Sequence, residues 1–314
     1  GVLGNADSRR ETCARLFEEH PEYVTEDYSL NIAASVWANK LTAPLCPDFP
    51  QAIANANGQA AEVEFGTPET KSQISAWLSK NTGGKFSTAP GFNAETLFTV
   101  ISALHFKDNW MDPLDAEDEI VFNAPTGSRT ITMMGGFSSD AKLLKTHEEI
   151  AVSWPMQSDA QAVFAMPNNA EEMDRFVKSG AAWKAISRCF EDEGATRPDG
   201  GIELYMPQLE LKSEDPELED TLHSLGVRKA FTPEAELGGI TKADAMVSKV
   251  TQNTILKLDP NGADGAAYTT LVAVAACPTF PKTDPAIIEL DRPFAFAVFS
   301  HSGAPLFVGT YMGD

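Results

Sequence analysis

The alternation of side-chain sizes in residues 259–277 constrains the fold of this chain more than any other feature. Successive side chains of a strand point to opposite faces of its sheet. One face of this segment would carry only small side chains, which can enter a packed sheet without overpacking it, and the other is mixed and tolerates solvent. The pattern predicts a strand that joins a sheet late, although an Ala- and Gly-rich loop or an ordinary buried strand also fits. The two sets are Ala263, Gly265, Ala267 and Thr269, and Asp264, Ala266, Tyr268 and Thr270.

The flanking segments give this pattern a context. Ile255–Leu258 predicts a strand that leads into it, and two further strands follow over residues 291–299 and 305–309. This order resembles the C-terminal part of the serpin family: a hinge of Gly and small residues, an exposed reactive loop, an Arg-Pro-Phe strand and a final Leu-Phe-Val-Gly strand.

Further motifs extend the resemblance from about residue 4 to the end of the chain. Residues 102–110 resemble the serpin strand that ends in Phe-Lys-Gly-x-Trp, and the Met133–Met134 pair follows a short hairpin around Gly127, as is usual in the family. Residues 206–209, 222–226 and 235–240 match another serpin block in order and spacing, and residues 247–250 occupy the place of the strand that leads to the hinge.

The resemblance implies an α+β serpin fold, with three β-sheets surrounded by helices and an exposed reactive-centre loop over about residues 262–285. We expect one serpin domain over residues 1–314 that lacks the family's N-terminal helices. Local signals agree with α+β: Thr67 and Pro68 can begin a helix that ends near Gly83, and residues 94–106 predict a long buried strand. Residues 150–154 and 162–166 predict a strand pair, and a helix through Leu222 ends at Gly226.

Net charge limits the partners of the chain. With 45 acidic and 24 basic residues, its formal charge is −21, so it should repel nucleic acid and anionic membranes, which select basic surfaces. The longest apolar run in the loop, residues 271–277, is far shorter than a membrane helix. Cys13, Cys46 and Cys189 are expected to be buried free thiols, and Cys277 an incidental exposed one.

Familiar enzyme motifs are missing from the sequence. It contains neither the G-x-S-x-G elbow of α/β-hydrolases nor the glycine-rich nucleotide-binding motifs. His147 is not followed by a second His four residues later, and the Asp259–Gly265 run lacks the ligand spacing of a calcium loop. We therefore expect no enzymatic activity, no metal and no cofactor.

The resemblance implies a serine protease inhibitor that acts as a suicide substrate, cleaved in its reactive loop and trapping its target by strand insertion. Carrying over the family's spacing places the scissile bond at Ala276–Cys277, with Val274, Ala275 and Cys277 itself as rivals to Ala276. A small Ala at this position predicts elastase-like or subtilisin-like targets, with cysteine proteases as a second class. The implied hinge comprises Gly262, Ala263, Asp264, Gly265, Ala266, Ala267, Tyr268 and Thr269.

Several positions of the sheet-opening region depart from the family pattern. Pro260 occupies the place of a Glu, Ser102 and Gln252 stand where the family has a central Asn–His pair, and the Gly between Lys107 and Trp110 is replaced by Asp108-Asn109. These departures keep open a non-inhibitory serpin-fold binding or carrier protein, or an inactive fragment. We further expect a monomer, an extracellular location and no heparin site, because residues 17–29 are too few for the family's heparin-binding helix.

Overall fold

The structure is a computed structural model that describes residues 28–55, 58–215, 218–247, 252–263 and 283–313, with only the backbone described for residues 116–118, 212–215, 218–219 and 252–254. The described chain is α+β, as predicted. The strands are β1 (Ser29–Asn39), β2 (Gly58–Val63), β3 (Phe98–Asn109), β4 (Asp115–Ala124), β5 (Gly127–Ser138), β6 (Lys142–Lys145), β7 (Glu149–Pro155), β8 (Gln161–Pro167), β9 (Ile202–Pro207), β10 (Leu209–Asp215), β11 (Gln252–Asp259), β12 (Gly262–Ala263), β13 (Ala286–Glu289), β14 (Phe294–Phe299) and β15 (Pro305–Tyr311). The helices are α1 (Phe49–Ala54), α2 (Pro68–Asn81), α3 (Met173–Lys178), α4 (Ala181–Phe190) and α5 (Leu218–Ser224), with 3₁₀ turns at Ala170–Glu172 and Lys229–Phe231.

The strands in these ranges form three sheets. One contains β1, β2, β3, β10, β11 and β12; the others have the orders β13-β9-β5-β4 and β15-β14-β8-β7-β6. Three sheets with helices are the arrangement that the sequence predicts. The chain divides into two compact units, one containing Ser29–Phe106 and Leu211–Ile255 and the other containing Lys107–Glu210 and Leu256–Asp314.

The first unit is organised around α2. Thr67 caps this helix by accepting a hydrogen bond from the amide of Thr70, and Pro68 occupies the first helical turn. One face of α2 buries Ile74 and Trp77 in a cluster with Phe65 and Trp37 of β1. β1 and β2 pair in parallel, in the register Trp37↔Ala61. The predicted helix over residues 68–83 is therefore confirmed.

β3 differs in its bounds from the strand predicted over residues 94–106. It begins at Phe98 because Asn93 forms a turn, its Oδ1 atom accepting hydrogen bonds from the amide of Glu95 and the hydroxyl of Thr96. It continues to Asn109 because its last two residues pair with β12. The sequence pattern identifies this strand but not the partner that extends it.

The second unit contains the four-stranded and five-stranded sheets. The predicted strand pair is confirmed as β7 and β8, which pair in the register Val152↔Phe164. Helices α3 and α4 cover the five-stranded sheet and form one buried cluster with it, which includes Cys189, Ala165 and Phe299. The Met pair lies in β5 of the four-stranded sheet, where Met134 pairs with Met206 of β9 and all three Met side chains are fully buried.

The cysteine prediction is correct for one residue and wrong for another. Cys189 is a buried free thiol, and burial raises its pKa to about 11. Cys46 is also free but only partly buried, because it lies in the loop after β1, where its amide donates to the carbonyl of Ile240 at 2.8 Å. Cys13 and Cys277 lie outside the described residues.

Candidate functional site

The start of the predicted hinge forms a tight hairpin with the strand before it. β11 and β12 are antiparallel, Asp259 pairs with Gly262, and only Pro260 and Asn261 form the loop. The Asp259 carboxylate stabilises the turn, since its Oδ1 atom accepts a hydrogen bond from the Asn261 amide at 2.9 Å. Its Oδ2 atom lies 3.0 Å from Nζ of Lys257. Proline is suited to this loop because no strand partner requires its missing amide proton.

Trp110 binds this hairpin through two hydrogen bonds. Its indole Nε1 donates to the carbonyl of Asp259 at 2.8 Å, and its backbone amide donates to the carbonyl of Asn261 at 2.8 Å. The side chain is fully buried. A third bond runs from the amide of Leu114 to the carbonyl of Pro260 at 2.9 Å. The structure thus brings together two residues of the predicted sheet-opening region, Trp110 and Pro260.

β12 lies between β11 and the end of β3. Gly262 pairs with Asn109, and Ala263 pairs with Asp108 on one side and Leu258 on the other. Both β12 residues are buried. The prediction of an exposed loop from Gly262 onward is therefore wrong for Gly262 and Ala263, because both residues pair within a sheet. We call residues 107–110 and 256–263 the hairpin junction.

Gly262 is required by a close approach of the two backbones. A Cβ atom at this position would lie 2.0 Å from the carbonyl oxygen of Asp108 and 2.6 Å from Cα of Asn109. Both are backbone atoms, so any larger residue would push β12 away from β3. The first residue of the predicted hinge therefore has a steric requirement of its own, next to the small-residue face that begins at Ala263.

Asp108 is an acidic side chain buried in this junction. Only 1% of the residue is exposed, and its Oδ2 atom accepts hydrogen bonds from Oγ of Ser158 at 2.6 Å and from the Ser158 amide at 3.3 Å. Burial raises the pKa of Asp108 to about 6, and the bonds from Ser158 offset part of that effect. The sequence marks Asp108 only as a departure from a glycine of the family pattern and does not indicate Ser158. The available signal was an acid between Phe106 and Trp110, on the buried side of a strand.

Of the other predicted positions, Lys107 lies in the junction, and the rest lie outside it or are only partly described. Ser102 of β3 is exposed and belongs to the first unit, as does Gln252, whose backbone begins β11 and whose side chain is not described. Lys107 precedes Asp108 and is half-buried. The predicted hinge residues Asp264, Gly265, Ala266, Ala267, Tyr268 and Thr269, and the predicted scissile bond Ala276–Cys277, lie outside the described residues.

A cavity of about 220 Å³ follows β3 within the first unit. Residues 98–104 of β3 line it, together with Leu78, Thr82 and the aromatic side chains of Phe86 and Phe92. The opposite side of this strand is occupied, since the carbonyls of Leu97 and Ile101 accept hydrogen bonds from Asn39 and Ser35 of β1. The cavity leaves space beside consecutive residues of one strand, which suits an extended chain.

Within the described ranges, no group of three or more His, Cys, Asp or Glu side chains is arranged so that it could hold a metal ion. None of the helices in the described part of the chain is long and apolar enough to cross a membrane.

Comparisons with known proteins agree on one family. A family model described as Serpin (serine protease inhibitor) matches residues 2–313. Alpha-1-antiproteinase of Callosciurus caniceps is 27% identical over 248 residues, which cover 77% of this chain and 57% of that protein. The chain thus spans little more than half the length of this relative.

Solved structures show the same fold at low identity. Serpin48 of the insect Tenebrio molitor matches with a TM-score of 0.80 and 20% identity, over 100% of this chain and 84% of that one. Thyroxine-binding globulin in complex with thyroxine matches with a TM-score of 0.77 and 17% identity, over 98% and 80% of the two chains.

Proposed function

The chain belongs to the serpin family, and from this premise we propose that it inhibits serine proteases as a suicide substrate. Protease inhibition is the activity that the family model and the antiproteinase relative support. The observation that carries the proposal for this chain is the position of Gly262 and Ala263. The first two hinge residues are already paired with β11 and with β3, so the residues after Ala263 would extend an existing two-residue strand.

The proposed reaction begins as ordinary proteolysis. The serine hydroxyl of the protease attacks the carbonyl carbon of Ala276, the bond to the nitrogen of Cys277 breaks, and the new amine leaves with the C-terminal part of the chain. An ester then links Ala276 to the protease. Insertion of the freed segment beside β3 would carry the bound protease away before water hydrolyses the ester. Such loop insertion is an established switch of this family.

The energy of strand formation is sufficient for this step. Each added backbone hydrogen bond contributes about 0.5–1.5 kcal/mol net, so a dozen of them give a driving force on the order of 10 kcal/mol. The cavity along residues 98–104 of β3 offers space for part of the new strand. Small side chains on one face of the hinge keep the steric cost of insertion low.

Target specificity follows from the residue before the scissile bond. Ala276 suits the narrow pocket of an elastase-like or subtilisin-like protease, and Val274, Ala275 or Cys277 would suit a similar pocket if the bond lies nearby. Cysteine proteases are the second class of target. For the whole protein we still predict a monomer with an extracellular location. We also predict that it has no cofactor and binds no heparin, nucleic acid or membrane.

A second candidate function is binding or transport without inhibition, or an inactive serpin fragment. The similarity in fold to a thyroxine-binding globulin favours the carrier. Pro260 and Ser102, which replace a Glu and an Asn of the family pattern, also favour a molecule that does not insert its loop. A carrier would bind its ligand without loop cleavage, which separates the two functions experimentally.

The test is incubation with pancreatic elastase and with subtilisin, followed by denaturing electrophoresis and mass spectrometry of the released peptide. We expect a covalent band and cleavage near Ala276. In Ala263→Arg, a long charged side chain would replace a fully buried methyl group, so cleavage should continue while the covalent band is lost. Ala52→Arg, at an exposed position of α1, is the matched control and should retain the band. Cleavage of the unmodified chain without any band would reject inhibition and favour the second candidate.

A further inference from the structure

A buried carboxyl group lies directly beside the second hinge residue. Asp108, Ala263 and Leu258 form one row across three strands, and they are 1%, 0% and 0% exposed. Paired residues of antiparallel strands direct their side chains to the same face, with Cβ atoms about 4.5–5.5 Å apart. The Asp108 carboxyl group therefore shares its surroundings with the methyl group of Ala263, and pairing of β12 helps to exclude water from it.

The charged groups around Asp108 do not neutralise it. The β7–β8 turn contributes Asp159, whose negative charge disfavours the carboxylate, and Nδ1 of His301 in the β14–β15 turn lies 3.6 Å from Oδ2 of Asp159. On β11, Lys257 pairs with Asp259, and on β3 itself Lys107 is adjacent in sequence. None of the ion pairs found within the described ranges includes Asp108. Hydrogen bonds stabilise the carboxylate instead: two from Ser158 and one from the backbone of Asn109.

We propose that protonation of Asp108 controls whether the β11–β12 hairpin stays paired with β3: the neutral carboxyl group favours the paired hairpin, and the carboxylate favours its release. The physical reason is that a charge without a cation partner is costly in a dry site and is relieved when water reaches it. Release of β12 removes Ala263 from its place beside the carboxyl group and admits that water. The inference rests on the proposed function only in identifying Gly262 and Ala263 as the start of a reactive loop.

The direction of the pH effect follows from linkage. Burial raises the pKa of Asp108 to about 6 in the paired state, from an ordinary value of 3.8. Release would return the pKa toward that ordinary value, so between about pH 4 and 6 the paired state binds more protons than the released state. Pairing is therefore favoured at low pH and weakens as the pH rises through about 6. A full return of the pKa would change the ratio of the two states by on the order of 100-fold.

Hydrogen–deuterium exchange of the full chain tests this control. The reporters are the Trp110 amide, which donates to Asn261 of the hairpin, and peptides covering residues 256–263. Protection factors, corrected for the intrinsic pH dependence of exchange, should fall about tenfold between pH 5 and pH 7.5, with a midpoint near pH 6. Asp108→Asn should keep high protection throughout. Asp159→Asn, which changes an exposed neighbour, should retain the fall.

Ser158→Ala supplies an independent readout. Loss of the hydroxyl donor removes a bond that stabilises the carboxylate, so the midpoint should move to higher pH. If Asp108→Asn does not fold, the shift of the midpoint in Ser158→Ala still tests the proposal. Protection that is independent of pH in the unmodified chain, a fall that persists in Asp108→Asn, or an unchanged midpoint in Ser158→Ala would each overturn the inference. Failure to form a covalent protease complex would instead reject the proposed function and leave the exchange result standing.

Discussion

Asp108 replaces a glycine of the family pattern with a residue that carries a cost at neutral pH. The side chain is buried, accepts two hydrogen bonds from Ser158 and lacks a cation among the ion pairs of the described residues. A change of 1 in a pKa is equivalent to about 1.4 kcal/mol. The rise in the pKa of Asp108 from 3.8 to about 6 therefore corresponds to roughly 3 kcal/mol of lost folding stability above pH 6. This position therefore gives the clearest pH-dependent prediction for a single residue.

We expect Asp108→Asn to raise the free energy of unfolding by about 2 kcal/mol at pH 7.5, because the amide oxygen can still accept a bond from Ser158 without burying a charge. The advantage should decline between pH 6 and pH 4, where the native carboxyl group becomes neutral. Urea unfolding at pH 4 and pH 7.5 measures the difference. The control is Asp159→Asn, whose side chain is 73% exposed and whose effect should be small at both values. Equal stabilisation by Asp108→Asn at the two pH values would contradict a titrating cause.

β12 is the shortest strand described, and it joins the first two residues of the predicted hinge to a sheet. It pairs through two residues on each side, and the Trp110 indole and amide hold the adjoining loop. The pairing of β12 therefore depends on Gly262, where the two backbones approach closely. The few hydrogen bonds of this short strand could not offset a steric clash there.

Gly262→Ala tests that dependence. Its Cβ atom would meet the backbone of Asp108 and Asn109, and overpacking of this kind costs about 1–3 kcal/mol. We expect the Trp110 amide to lose protection from hydrogen exchange and the thermal midpoint to fall. Gly239→Ala is the matched control, because no atom lies within 4 Å of its added Cβ atom, and it should leave both measurements nearly unchanged. Normal protection of Trp110 in Gly262→Ala would show that β12 tolerates a side chain.

Elements that depend on local signals were predictable from the sequence, and those that depend on distant pairing were not. The Thr67 cap and Pro68 define the beginning of α2 within a few residues, and β7 and β8 follow from two apolar runs separated by a polar turn. The pairing of Ala263 with Asp108 joins residues 155 positions apart in sequence. No local pattern specifies that contact, and the same holds for the hydrogen bonds from Ser158 to Asp108.

The proposed inhibition requires that the uncleaved form of the whole chain is not its most stable arrangement. Three features favour the addition of a strand once the loop is free: the small residues of the predicted hinge, the two-residue β12 and the space beside β3. The proposed mechanism requires cleavage, because a segment attached at both ends could not add fully as a strand. Cleavage removes that restraint, so thermal stability before and after cleavage measures the stored energy directly.

We expect cleavage within residues 264–282 to raise the melting temperature by about 15 °C, the shift that a gain on the order of 10 kcal/mol produces in a chain of this length. The measurement is differential scanning calorimetry at pH 7.5 of the intact chain and of the chain nicked by elastase, with both fragments retained. Ala263→Arg should be nicked at the same site and show little rise, because its arginine displaces β12, the two-residue strand that the inserted residues would extend. An unchanged melting temperature in the nicked unmodified chain would mean that the loop does not insert. The molecule would then store no strain, and the carrier or inactive form would be the better description of its function.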